Sequence, residues 1–203
     1  MEMKFFLYLI VIFSATFHEF AHGWAAYRLG DNTAKDEGRL TLNPLVHIDL
    51  VGTILIPIFL LFTSGIFIGW AKPVPYNPYN LKDKKFGSLK VGLAGPLANL
   101  LLALILGLPL RFSSALMGLG ASSIFLELIG LIAYVNVSLA LFNLIPFPPL
   151  DGSKVFGDLF PKQWSYVMRL GPMGIFFAFF LAFFILPTLV QSVFWIITGQ
   201  AFF

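Results

Sequence analysis

Five apolar stretches of roughly twenty residues dominate the chain, at 5–27, 51–70, 89–110, 124–145 and 174–198. A helix needs about 20 apolar residues to cross the hydrocarbon core of a bilayer. Within that core the backbone polar groups must be satisfied locally. The stretches therefore predict an all-α membrane protein, a polytopic helical bundle. Composition closes the alternatives. Of 203 residues, 58% are hydrophobic, 24 are Phe and only 11% are charged, against about 25% in an ordinary soluble domain. Mean hydropathy is +0.86. So few charges could not cover a soluble fold, and so much apolar surface excludes a disordered chain or a coiled coil.

The polar segments between the stretches, 28–49 and 71–90, are too short for a soluble domain, so residues 1–203 form a single membrane domain. No repeat or low-complexity tract interrupts it. The absence of cysteine removes disulfides, thiolate ligands and thiol nucleophiles. A net charge of +3 reports membrane topology and implies no nucleic-acid partner. Lys4 followed by an apolar run has the look of a signal peptide. The apolar pattern continues through His18 to Tyr27, however, and is read as a retained first span.

The second stretch, 51–70, is the irregular one. Pro57 and the Thr63-Ser64-Gly65 break suit a re-entrant element that turns back, which is tolerated where it packs against protein. If 51–70 spans, nine cations lie on one side and four on the other; if it re-enters, the split is eleven against two. The positive-inside rule favours the larger asymmetry. About four full spans plus one re-entrant element are expected, with spanning as the alternative, and the N-terminus lies outside.

His18-Glu19-Phe20-Ala21-His22 lies inside the first stretch. On a helix, positions i and i+4 share a face, so both imidazoles can reach one ion. Zinc in a catalytic site takes three protein ligands, and Glu19 is placed to act as a general base. Two of only three histidines lie in this apolar segment, where ionisable groups are costly and functional by default. The bland reading is a polar cluster bonding neighbouring helices. A third ligand must come from elsewhere. His47 and Asp151 are the candidates, the latter in Asn143-Leu-Ile-Pro-Phe-Pro-Pro-Leu-Asp151-Gly152. The Asp151 surroundings are more apolar and more rigid, although Asp151 could also cap the following helix.

HEFAH in a span, Ala94-Gly-Pro-Leu-Ala-Asn99 opening another, and NLIPFPPLDG later together resemble the site-2 protease family of intramembrane zinc metalloproteases. The motifs occur in the family's order over residues 14 to 155. The Gly69-Trp-Ala-Lys-Pro-Val-Pro75 stretch looks like that of the short bacterial and archaeal members. The resemblance implies one Zn2+ per chain on His18, His22 and Asp151, Glu19 as base, and Asn143 near the scissile carbonyl. It implies a substrate that is a transmembrane helix of another protein, a prokaryotic cell membrane, and a site nearer the cytoplasmic face. The chain shows no PDZ-sized insert and no span ahead of HEFAH, so filtering of substrates falls to the core, a regulatory membrane partner or a homo-oligomer.

Other polar residues have plainer readings. Asn99 and Asn136 are expected to bond helices together. Glu127 and the Lys82–Lys85 run are expected to be solvated, and His47 to be a loop histidine. The Phe-rich 176–184 run is expected to face lipid. Pro73, Pro75, Pro78, Tyr76 and Tyr79 could present an extended edge to an unwound substrate. Two rival functions remain: a metal transporter or sensor, for which the spans supply too few ionisable residues, and a scaffold that has lost activity, which would be expected to lack Glu19 or a ligand.

Overall fold

The computed structural model describes residues 2–63, 69–169, 171 and 173–202. All regular structure among them is helical, and the chain divides into two compact units, residues 1–87 and 88–203. Three helices are long and apolar enough to cross a membrane, Lys4–Arg28, Gly87–Gly118 and Ser123–Asn143.

The first unit is built on α1 (Glu2–Arg28). Ile10, Ser14, His18, His22 and Ala26 are all buried. They recur every fourth residue and so form one stripe of the helix. Phe5, Phe13, Trp24 and Tyr27 are exposed. This pattern inverts that of a soluble helix: polar groups face protein and aromatic groups face outward, as a lipid solvent requires. After α1 the chain turns at Gly30, whose φ of 104° suits a residue without Cβ. It then forms the short α2 (Thr33–Asp36), a 3-10 turn at Pro44–Val46 capped by the Asn43 side chain, and a π-turn at Leu50–Leu55 leading into α3 (Ile56–Thr63).

The apolar stretch 51–70 thus begins as helix. Its predicted break at Ser64-Gly65 lies outside the described residues, as does the run 66–68. Where description resumes, the Trp70 N–H donates to the Gly52 carbonyl at 3.1 Å and Thr53 Oγ1 donates to the Trp70 carbonyl at 2.8 Å. The two ends of the stretch therefore meet. A Cβ on Gly52 would lie 2.2 Å from the Trp70 ring, so glycine is what allows the indole to seat there.

Residues 71–77 form a strap without helix or strand, tied at successive points within this unit. Lys72 N–H donates to the His47 carbonyl at 2.8 Å, and the Asn77 N–H donates to Asp31 Oδ2 at 2.6 Å. Asp31 also accepts from Thr33 N–H, Thr33 Oγ1 and Asn80 Nδ2. Its burial works to raise the carboxyl pKa, but these hydrogen bonds outweigh that effect and hold it below the ordinary carboxylate value. Further on, the Lys82 N–H returns to the Leu29 carbonyl at 2.8 Å, just after the end of α1.

The second unit packs α4 (Gly87–Gly107), α6 (Ser123–Asn143) and α10 (Leu186–Thr198) around Ala103, Val137, Val190 and Ile197. After α4 the path tightens into a 3-10 turn at Leu108–Phe112, with Pro109 near its start, and continues as α5 (Ser113–Gly118). Asn99 Nδ2 donates to Asn136 Oδ1 at 2.7 Å, and both side chains are fully buried; this is the helix-joining role expected of them. Arg111 donates to the Ile196 and Ile197 carbonyls, answering two of the acceptors left at the end of α10.

The fifth predicted stretch, 174–198, is not one helix. It is α9 (Met173–Phe184) and α10, interrupted at Ile185. Pro187 lacks the N–H that a continuous helix would need there, while suiting the first turn of a new one. Phe176, Phe179, Phe180 and Phe183 on α9 are exposed, in keeping with a lipid-facing run. The short α7 (Gly152–Leu159) and α8 (Pro161–Arg169) connect α6 to α9. Asp158 Oδ2 on α7 accepts the Leu89 N–H at 2.7 Å, serving one of the free donors of the first turn of α4. Glu127 is exposed, as expected.

Candidate active site

In the first unit, α1 brings its two histidines together. His18 Nε2 and His22 Nε2 lie 3.0 Å apart, with ring centroids 4.6 Å apart and planes at 83°. Both rings are about 5% exposed, so the pair is closed to bulk water. Two imidazole nitrogens bound to one tetrahedral zinc at about 2.0–2.1 Å would stand about 3.3 Å apart. The observed separation approaches that value, and the donor chemistry fits: two nitrogens that repel as bare lone pairs are reconciled by a shared proton or a shared cation.

Glu19 is half-buried, and its Oε2 accepts the Val74 backbone N–H at 2.7 Å. The carboxylate therefore sits one residue from a prospective ligand and is held by the strap. Gly23 lies just beyond, where a Cβ would stand 3.0 Å from Val74 Cγ1 and 3.3 Å from Ala34 Cβ. A side chain there would press the strap away from α1. Arg39 Nη2 donates to the Lys72 and Pro73 carbonyls at 2.9 and 3.2 Å. His47 is a buried loop residue, and one of its ring nitrogens is 2.8 Å from the Thr41 carbonyl.

In the second unit, Asp151 occupies the N-cap position of α7, but its side chain makes no capping bond. It is buried, and its Oδ1 accepts from Lys154 Nζ at 2.8 Å. The capping role considered from sequence is therefore not the one this carboxylate performs. Carboxylate oxygen is one of the donor types that zinc takes. Gly152 packs against backbone: a Cβ there would stand 2.3 Å from the Leu144 carbonyl oxygen. Asn143 is half-buried at the end of α6, with Nδ2 donating to the Leu139 carbonyl one turn back at 2.9 Å.

The family model described as Peptidase family M50 matches residues 5–166, a range that includes His18, Glu19, His22, Asn143 and Asp151. The chain belongs to peptidase family M50. It is thereby a membrane metallopeptidase of the site-2 protease type. Among similar proteins, "Putative zinc metalloprotease YwhC" of Bacillus subtilis is 42% identical over 77% of this chain and 69% of its own length. Two mycobacterial proteins with the corresponding name, Rip2, are 32% identical in Mycolicibacterium smegmatis and 30% in Mycobacterium tuberculosis, over 77% and 87% of this chain. The chain spans 62% and 65% of the lengths of those two M50 relatives. No solved structure matches it at a significant level.

Sequence reasoning singled out His18, His22, Glu19, Asn143 and, for the third ligand, His47 and Asp151, but missed Arg39, Val74 and Lys154. Lys154 had a readable signal, since i and i+3 on a helix are neighbours. Val74 had none, because its contribution is a main-chain N–H.

Proposed function

We propose that this M50 peptidase is a zinc-dependent intramembrane endopeptidase that cleaves transmembrane helices of other membrane proteins. The observation that carries this reading is the pair of histidine nitrogens 3.0 Å apart on an apolar α1, with Glu19 anchored beside them. His18, His22 and Asp151 are the proposed ligands: two imidazoles and a carboxylate form a recognised donor set for catalytic zinc. When bound, the ion supplies Lewis acidity that makes water nucleophilic near neutral pH.

The chain's own residues do the rest. Glu19 takes a proton from the attacking water and returns it to the leaving amine. Asn143 Nδ2 carries two hydrogens, and the Leu139 carbonyl uses one; the other is proposed to meet the substrate carbonyl. A substrate helix protects its peptide bonds, so it must unwind locally before attack. The meeting of Gly52 and Trp70 supports a re-entrant 51–70 over a spanning one. With α9 and α10 together forming a fourth crossing, this gives a protein with its N-terminus outside and its site nearer the cytoplasmic face of a prokaryotic cell membrane. A regulatory membrane partner or a second copy is proposed as the source of substrate selection.

The test is incubation of purified protein with a panel of single-span membrane proteins, with and without a zinc chelator. Cleavage within or beside the spans, abolished by chelation and restored by zinc, is expected. Cleavage confined to soluble segments, or unaffected by chelation, would overturn the reading.

A further inference from the structure

The strap contacts Glu19 through one peptide group, and that group is held at both ends. The Val74 N–H donates to Glu19 Oε2. The carbonyl of the same peptide belongs to Pro73, and it accepts from Arg39 Nη2, which also reaches the Lys72 carbonyl. A trans peptide is planar, with its C=O and N–H pointing in opposite directions. Fixing the oxygen therefore fixes the direction of the N–H. A cation on the oxygen also polarises the group and strengthens the N–H as a donor.

The cost of this arrangement argues that it is used. Arg39 is only 7% exposed, and its partners among the described residues are two main-chain carbonyls and no carboxylate. Its Nε has no partner among the described residues. A buried, unpaired cation is expensive, and an unmet buried donor adds to the cost. If closing the loop were the only requirement, the His47–Lys72 and Asp31–Asn77 bonds already tie the strap on either side of this peptide.

We propose that Arg39 is the positioning residue for Glu19, acting through the Pro73–Val74 peptide. The N–H takes Oε2 and so selects one rotamer of a flexible side chain, directing Oε1 to the proton it must move. Arg39 touches neither substrate nor metal. Its effect reaches the reaction through the orientation of the carboxylate. The inference rests on Glu19 being the base, and its test separates the two ideas.

The first measurement needs neither metal nor activity. Hydrogen exchange at the Val74 amide is followed in the detergent-solubilised chain. Exchange should accelerate by about tenfold or more in Glu19→Ala, as expected for loss of a bond to a charged group, and likewise in Arg39→Met. Arg39→Lys should restore much of the protection. Unchanged exchange in Arg39→Met would overturn the proposal.

The second measurement uses whichever panel protein the unaltered enzyme cleaves fastest. Arg39→Met should lower kcat roughly ten- to a hundredfold at unchanged KM and unchanged zinc content, with Arg39→Lys recovering most of it. Val74→Pro, which deletes the N–H, should behave as Arg39→Met does. Loss of zinc or a raised KM at unchanged kcat would overturn positioning in favour of a structural or substrate-binding role. Full turnover in Glu19→Gln would sink the base assignment alone, leaving Val74 exchange to decide whether Arg39 directs that carboxylate.

Discussion

Replacing Gly152 by alanine should be far more damaging than a single methyl suggests. The added Cβ would sit 2.3 Å from the Leu144 carbonyl oxygen, 2.5 Å from the Ile145 carbonyl oxygen and 2.5 Å from the Leu144 carbonyl carbon. A normal carbon–oxygen contact is about 3.3–3.6 Å, so the shortfall is roughly 1 Å. All three neighbours are backbone at the end of α6 and cannot rotate aside. The chain at 151–152 must move bodily. Overpacking of this kind typically costs about 1–3 kcal/mol, and rigid neighbours place it near the top. In a protein of this length each kcal/mol lowers Tm by about 2–4 °C, so Tm should fall by roughly 6–12 °C. A shift near 1 Å also exceeds the ~0.2 Å tolerance of a metal–ligand distance, so zinc content should fall with it. Differential scanning fluorimetry and metal analysis of the detergent-purified variant provide the assay. Gly118→Ala is the control, since nothing lies within 4 Å of its added Cβ. Wild-type Tm in Gly152→Ala would refute the packing argument. A lowered Tm with full zinc would refute Asp151 as a ligand.

Asp31→Asn should lower stability by about 1.5–3 kcal/mol, because an amide NH2 would face the Asn77 N–H that Oδ2 now accepts. The folded carboxyl pKa is depressed. Its contribution is therefore present above the unfolded value of about 3.9 and is lost as pH falls through the folded value. The Tm gap between wild type and variant should close in acid, and a gap that widened there would contradict the assignment. Glu19→Gln and Asn143→Ala should both keep zinc while slowing turnover, by about 10²–10⁴ and 10²–10³ respectively; wild-type rates would discard the corresponding role. Zinc content should fall in His18→Ala, His22→Ala and Asp151→Ala but not in His47→Ala, and the reverse for Asp151 and His47 would reassign the third ligand. Single cysteines at Ser88 and Lys162 should label from the cytoplasm and one at Ser113 from outside. Labelling of Ser88 from outside would make 51–70 a span.

What could be read from sequence followed from short-range rules. The spacing of His18 and His22 and the apolar length of α1 are local properties, and both appear in the structure as expected. Asn99 and Asn136 were legible because an amide in an apolar helix requires a partner. The interruption at Ile185 was also written locally, in Pro187, but the apolar run around it read as one span because hydropathy is blind to a missing N–H. The meeting of Gly52 with Trp70 could be anticipated only as a tendency to turn back, since pairing across 18 residues leaves no periodicity. Arg39 was visible only as a topological charge. Its placement on the carbonyls of Lys72 and Pro73 depends on how the loop folds, and main-chain acceptors have no residue signature. The Pro73–Pro75 segment expected to offer a pairing edge carries no N–H at either proline, and the N–H groups of Lys72, Val74 and Asn77 are already bonded within the unit.

The Asn99–Asn136 bond bears on motion as well as on strength. Lipid gives two apolar helices little reason to prefer one axial alignment over another, because every alignment exchanges similar hydrocarbon contacts. A lone amide pair makes the choice discrete: slide α4 by one turn, about 5.4 Å, and both amides lose their match. Seven residues earlier on α4, Gly92 backs onto the Asp151 carbonyl and Lys154, where a Cβ would stand 3.2 and 3.0 Å away. The same slide would bring Leu89 or Pro96 toward that spot in place of a residue with no side chain. The amide pair thus acts as a detent two turns from the aspartate, keeping α4 at the single setting in which the Asp151 turn has room.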